Sequence, residues 1–124
     1  MTKRLYAVRG AIQVESDDRD NITTSVVELY RALCDANGLE MDSIVSWQFT
    51  ITPDLRSLNP ATALRTIEGT AHIPLFCMQE PVVEGMLERT IRCMVLHYAP
   101  IDHISSHIYL GGAKILRPDI SDGC

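Results

Sequence analysis

The chain has 124 residues and a net charge of −5, with 46% hydrophobic and 22% charged residues. That length suits one domain, residues 1–124, with a sizeable core; the composition excludes a disordered chain, and the acidic balance argues against a general nucleic-acid partner. No apolar run approaches the ~18 residues of a membrane span, and the opening MTKRLYAVRGA has no apolar segment of the kind a signal peptide carries, so a cytoplasmic protein with no membrane partner is expected.

The β-forming run RLYAVRGAIQV predicts a first strand over residues 4–14, kinked at Gly10. ESDDRDN is a polar turn rich in N-cap residues. Ile22, Val26, Leu29 and Leu33 then recur at helical spacing, predicting a helix over residues 19–36 that stops at Asn37-Gly38. SIVSWQFTI is the clearest strand: Val45, Trp47, Phe49 and Ile51 alternate with Ser46, Gln48 and Thr50. NPATALRTIEG predicts a short helix, with Asn59 as cap, Pro60 at the first position and Gly69 ending it. HIPLFCMQ predicts a strand over residues 72–79. PVVEGMLERTIRCMVLHYAP predicts a second long helix, with Met86, Leu87, Thr90, Ile91, Met94, Val95 and Tyr98 as its buried stripe. ISSHIYLG and AKIL predict two closing strands, over residues 104–111 and 113–116. The resulting order, β-α-β-(short α)-β-α-β-β, is an α/β (α+β) domain: a mixed sheet with two long helices on one face. The other sheet face also needs cover, and so little chain remains that a second copy is the expected cover: a homo-oligomer.

Cys34, Cys77, Cys93 and Cys124 form no CxxC pair, and free thiols are expected. His72, His97, His103 and His107 show no metal-ligand spacing, so neither metal nor cofactor is assigned; His107 reads as a surface residue. The chemistry lies in the arginines. Nine of the eleven basic residues are arginine, the side chain that binds carboxylates through two parallel hydrogen bonds. Arg9, Arg92 and Arg117 sit among apolar neighbours, and Arg65 lies on the short helix. Taken singly, each is as readily a snorkelling side chain or half of a salt bridge. The one carboxylate in a comparably apolar context is Glu80, at the end of PLFCMQE, where burial is costly without a partner. Several arginines around one carboxylate fit an anion site better than isolated pairs. Tyr109 alternates with Ile108 and Leu110 and so faces the opposite side from them.

VRGA, TPDL…PA..LR, P..CMQE and YL..A..LRPD occur in that order, and with these motifs the chain resembles the monofunctional, trimeric pseudo-α/β-barrel class of chorismate mutase over about residues 4–119. The resemblance implies an isomerase of phenylalanine and tyrosine biosynthesis that rearranges chorismate to prephenate, without cofactor, in active sites at the interfaces of a homotrimer. It implies that Arg92 faces the breaking ether oxygen and a carboxylate, that Arg9 and Tyr109 anchor carboxylates, and that Glu80 accepts from the ring hydroxyl and holds an arginine. It further implies that Cys77 lines the pocket through backbone or thiol, that Leu116 packs on the ring, and that Arg65 and Arg117 add positive potential at the mouth. Catalysis thus falls to Arg92, Glu80 and Arg9.

A non-catalytic binder or sensor of a small dicarboxylate is the alternative; it would keep Arg9 and Arg65 but would not require Arg92 and Glu80 together. A third reading, an enzyme for enamine or imine substrates on a similar trimer, would not need CMQE. Three positions depart from the family pattern: Asn59 stands where an aromatic residue is common, Thr62 where a lysine is common, and Phe76 where the residue before the cysteine is usually small or polar. The tail after Asp119, ISDGC, is short for closing over a site. Losing the lysine weakens attraction for a dianion, which raises KM more than it lowers kcat. A Thr62→Lys variant is therefore expected to lower KM at nearly constant kcat; a parent KM equal to or better than the variant's would contradict this.

Overall fold

The computed structural model describes residues 2–119; Cys124 and the tail after Asp119 lie outside the described residues. Strand β1 (Lys3–Gln13) is followed by helix α1 (Arg19–Asn37), strand β2 (Ile44–Ile51), short helix α2 (Pro60–Leu64) and strands β3 (Leu75–Gln79), β4 (Thr90–Pro100) and β5 (Ile108–Leu110). The five strands form one mixed sheet in the order β3-β2-β4-β1-β5. β4 is antiparallel to both β1 and β2, and the edge strands β3 and β5 run parallel to β2 and β1.

Helix α1 begins and ends where the sequence places its signals. The Asp18 carboxylate accepts from the Asn21 N–H at 2.7 Å, and Gly38 adopts the left-handed conformation (φ 58°) that closes the helix. Its stripe of Ile22, Val26, Leu29 and Leu33 packs on Val8, Ile12, Trp47, Phe49, Ile91 and Val95 from the three central strands. β1 runs through Gly10 in unbroken register with β4, not kinked there. The glycine serves helix packing instead: a Cβ would sit 2.9 Å from Leu33 Cδ1, 3.0 Å from Leu29 Cδ1 and 3.3 Å from Cys93 Sγ.

Two expected elements differ. Residues 90–100 are the central strand of the sheet, not a second long helix. The run carries both periods: Met94, Val95 and Tyr98 satisfy a helical stripe, while Ile91, Cys93, Val95, His97 and Ala99 alternate. The strand prevails because two neighbours bond to it along its length, satisfying its backbone on both sides, and Gly85 (φ 82°) and Arg89 (φ 47°) interrupt any helix before it. The Arg89 conformation is held by its N–H donating to both Asp54 carboxylate oxygens (3.1 and 3.0 Å) and its Nε to the Val14 carbonyl (2.9 Å). Likewise, residues 111–116 form a 3-10 helix rather than a strand. β5 is an edge, and Gly111 (φ 57°) turns the chain so that Ala113 and Leu116 pack back on Ala11 and Tyr109.

One long helix therefore covers one face of the sheet, where two were expected. The opposite face carries Leu5, Met78, Met94 and Tyr98, all exposed, and Phe76, which is 61% exposed. Among the described residues no helix is long and apolar enough to cross a membrane. Because the Leu29 and Leu33 methyls that would have to shift are themselves buried in the core, Gly10→Ala is expected to cost about 1–3 kcal/mol by overpacking, read from urea unfolding; an unchanged midpoint would refute the close-packing role.

Candidate active site

Strand parity decides which side chains share the uncovered face. Register pairs Arg92 with Ala11 and Thr50, Thr50 with Met78, and Ala11 with Tyr109, so these five lie in one row across the sheet. The adjacent row holds Phe76, Gln48, Met94 and Arg9. Between the rows is a cleft of about 220 Å³ lined by Arg9, Gln48, Thr50, Met78, Arg92, Cys93 and Met94. Small neighbours on either side of Arg92, alanine and threonine, leave room above the strand for its guanidinium.

The charge in this cleft is held in place. Arg92 Nε lies 3.3 Å from Glu80 Oε2, an ion pair whose alignment falls short of a hydrogen bond. The Thr50 hydroxyl donates to the same oxygen at 2.5 Å, and the Glu80 N–H extends the β2–β3 ladder by donating to the Ile51 carbonyl at 2.8 Å. The Glu80 side chain is 17% exposed and that of Arg92 35%. A carboxylate so fixed by backbone and hydroxyl places a negative charge at the Nε side of the guanidinium, and Arg92 itself lines the cleft.

Other candidate residues fall elsewhere. Tyr109 is buried on the open face with Ala11 and Ala113, and Leu116 packs against this group. Arg117 forms a two-pronged pair with Asp119, Nε–Oδ1 at 3.1 Å and Nη2–Oδ2 at 3.0 Å. That pairing raises the Arg117 pKa and lowers that of Asp119, and the carboxylate offsets the positive potential expected there. Arg65 lies outside the cleft: its guanidinium bonds the Thr70 carbonyl and the Ile73 carbonyl (2.7 Å), latching the loop before β3. Cys77 pairs with Phe49, so its thiol faces the core and not the arginines, which leaves only its backbone for a pocket role. Asn59 caps α2, accepting from the Ala61 N–H at 2.8 Å.

Thr50, Gln48 and Met78 were absent from the sequence-derived set. The signal for Thr50 and Gln48 is the polar alternation of β2, legible as a face but not as a site; Met78, an apolar residue on β3, carries no such signal. His107, expected at the surface, is partly buried, and its Nδ1 accepts the Arg9 backbone N–H at 3.0 Å. Burial, then the Arg9 and Arg117 charges, lower its pKa from the usual 6.5. A wider groove of about 760 Å³ lies against the N-terminal half of α1, but Glu15 and Glu28 line it and its arginine, Arg89, is paired with Glu88 at 2.7 Å. Its carboxylates outnumber its one paired arginine, whereas two arginines line the smaller cleft.

The description "chorismate mutase type I" belongs to the family model that matches residues 5–120. The chain belongs to this family. It is 36% identical over 119 residues to chorismate mutase AroH of Bacillus subtilis (strain 168), covering 94% of this chain and 93% of that protein. It is 39% identical over 116 residues to chorismate mutase AroH of Thermus thermophilus, covering 91% and 93%. A solved chorismate mutase from Clostridium thermocellum superimposes with a TM-score of 0.80 at 39% identity, covering 89% of this chain and 98% of that one. Each match spans most of the chain, and the family model spans the cleft residues.

Burial raises the Cys77 pKa above its ordinary 9.0, which lowers its thiolate fraction further. Brief iodoacetamide treatment at pH 7.5 with peptide mapping is expected to label Cys77 far more slowly in the native protein than in urea. Equal rates would place the thiol in the open cleft.

Proposed function

We propose that the Arg92 cleft converts chorismate to prephenate, a step toward phenylalanine and tyrosine. The reaction breaks one C–O bond and makes one C–C bond within a single molecule. The protein therefore has two tasks: to hold a flexible dianion in a compact, chair-like conformer, and to present fixed positive charge where the ether oxygen becomes negative.

The observation that carries this reading is the Thr50–Glu80–Arg92 chain beside Arg9. Arg92, held at Nε, directs its terminal nitrogens at the ether oxygen and an adjacent carboxylate. Arg9 anchors a carboxylate from the next row, and Tyr109 supplies a hydroxyl at the far end of the Arg92 row. Glu80 shares one oxygen with Thr50 and Arg92 and offers the other to the ring hydroxyl. Leu116 closes on the ring, and Cys77 contributes through its backbone. Arg65 and Arg117, both partnered, act through their field at the mouth, Arg117 weakly because Asp119 offsets it.

One protomer leaves this cleft open on a face rich in exposed apolar side chains, Phe76 and Met78 among them. Contiguous apolar surface of this kind marks an interface. The proposed assembly is a homotrimer whose neighbouring copies wall the cleft.

Removing one preorganised donor of this kind costs roughly 2.7–4 kcal/mol of barrier, or about 10²–10³ in kcat. Arg92→Ala is expected to lose that much turnover, followed as loss of chorismate absorbance without added cofactor, while keeping its far-UV circular dichroism. Near-normal turnover in the variant would refute the electrostatic role. A parent that binds chorismate without consuming it would instead be a dicarboxylate binder.

A further inference from the structure

We propose that His107 is a positioning residue for the Arg9 anchor, and that it serves only as a neutral ring with its proton on Nε2. This rests on the reading of Arg9 as a carboxylate anchor.

The observation is a substitution in the sheet ladder. β5 begins at Ile108, opposite Gly10, one residue too late to cover Arg9. The Arg9 N–H points away from β4 toward this edge, where a continued parallel ladder would offer it the Ser106 carbonyl. That carbonyl turns instead to the Asn37 amide (2.9 Å), and the Asn37 Oδ1 takes the Ser106 N–H (2.8 Å). The helix end thus pins the chain just before His107, and the imidazole fills the gap: Nδ1 accepts the Arg9 N–H at 3.0 Å. A backbone N–H can only donate, so Nδ1 must carry a lone pair. The backbone of the proposed anchor is therefore fixed by a titratable side chain from 98 residues away.

The surroundings favour the neutral ring. The charged groups facing His107 are Arg9 on β1 and Arg117 after the 3-10 helix, the latter carrying Asp119 as its own partner. Burial and both cations push the His107 pKa below the usual 6.5. The bond is therefore intact at neutral pH. It is lost as pH falls below 6.5 through the lowered value, when the ring gains a proton at Nδ1 and becomes a third cation beside Arg9. Folding stability contributed by the neutral ring declines over the same range.

The experiment compares wild type, His107→Asn, His107→Leu and Arg9→Ala by kcat and KM for chorismate between pH 5 and 8. Asparagine places a carbonyl oxygen near the Nδ1 position but does not titrate; leucine fills the space with no acceptor. Wild type should show KM rising toward pH 5 with kcat less affected. His107→Leu should hold KM about tenfold above the wild-type value at pH 7.5, near the net worth of one hydrogen bond, and converge with wild type toward pH 5. His107→Asn should restore KM at pH 7.5 and abolish the acid rise. Should leucine fail to fold, ¹⁵N resonances of the wild-type imidazoles report the same facts: an unprotonated Nδ1 with a pKa below 6.5 supports the inference, and a protonated Nδ1 or a pKa at or above 6.5 overturns it. A raised KM in Arg9→Ala with wild-type behaviour in His107→Leu overturns the inference alone. An unchanged KM in Arg9→Ala overturns the anchor reading and the inference with it.

Discussion

A half-buried guanidinium on the central strand of a sheet must have its charge answered, and the Glu80 carboxylate does so. As a source of stability the pair is modest, since both side chains keep some contact with water and such pairs contribute little. Its value is orientation. An arginine with only water for company samples many rotamers, whereas Arg92 is held at Nε by a carboxylate that is itself held by Thr50 and by the extended β2–β3 ladder. Removing Glu80 would leave a partly desolvated cation with no protein partner and no fixed direction, a larger change than the pair's own strength suggests.

The same strand builds both the core and the cleft. Along β4, Ile91, Cys93 and Val95 enter the core beneath α1, while Arg92 and Met94 point the other way. A slip of one residue against β1 or β2 would bury the arginine and expose the aliphatic residues. The hydrophobic effect that fixes the register therefore also fixes the aim of Arg92, and the Gly10 contact with Leu29 and Leu33 helps to lock it.

Local signals made much of this legible in advance. The caps of α1, the alternation of β2 and the Asn59-Pro60 start of α2 are short-range chemistry, and each stands where its residues put it. β4 was not legible, because its apolar run fits two periods and the choice depends on partners distant in the chain. The link between Glu80 and an arginine could be anticipated from the cost of a buried carboxylate; its Thr50 leg could not, because it depends on the register between β2 and β3. That register also turned the Cys77 thiol inward, beside Phe49. His107 read as surface because nothing near it in sequence hints that Arg9 lies beside it.

The most direct test is a crystal structure with a rigid oxabicyclic dicarboxylate that imitates the compact rearranging conformer. Its ether oxygen should lie within hydrogen-bonding distance of the Arg92 terminal nitrogens, with its hydroxyl on Glu80 and a carboxylate on Arg9. A diacid seated away from β4, or an Arg92 side chain turned from it into solvent, would contradict the central claim that a fixed guanidinium on this strand stabilises the negative charge that builds on the ether oxygen as the C–O bond breaks.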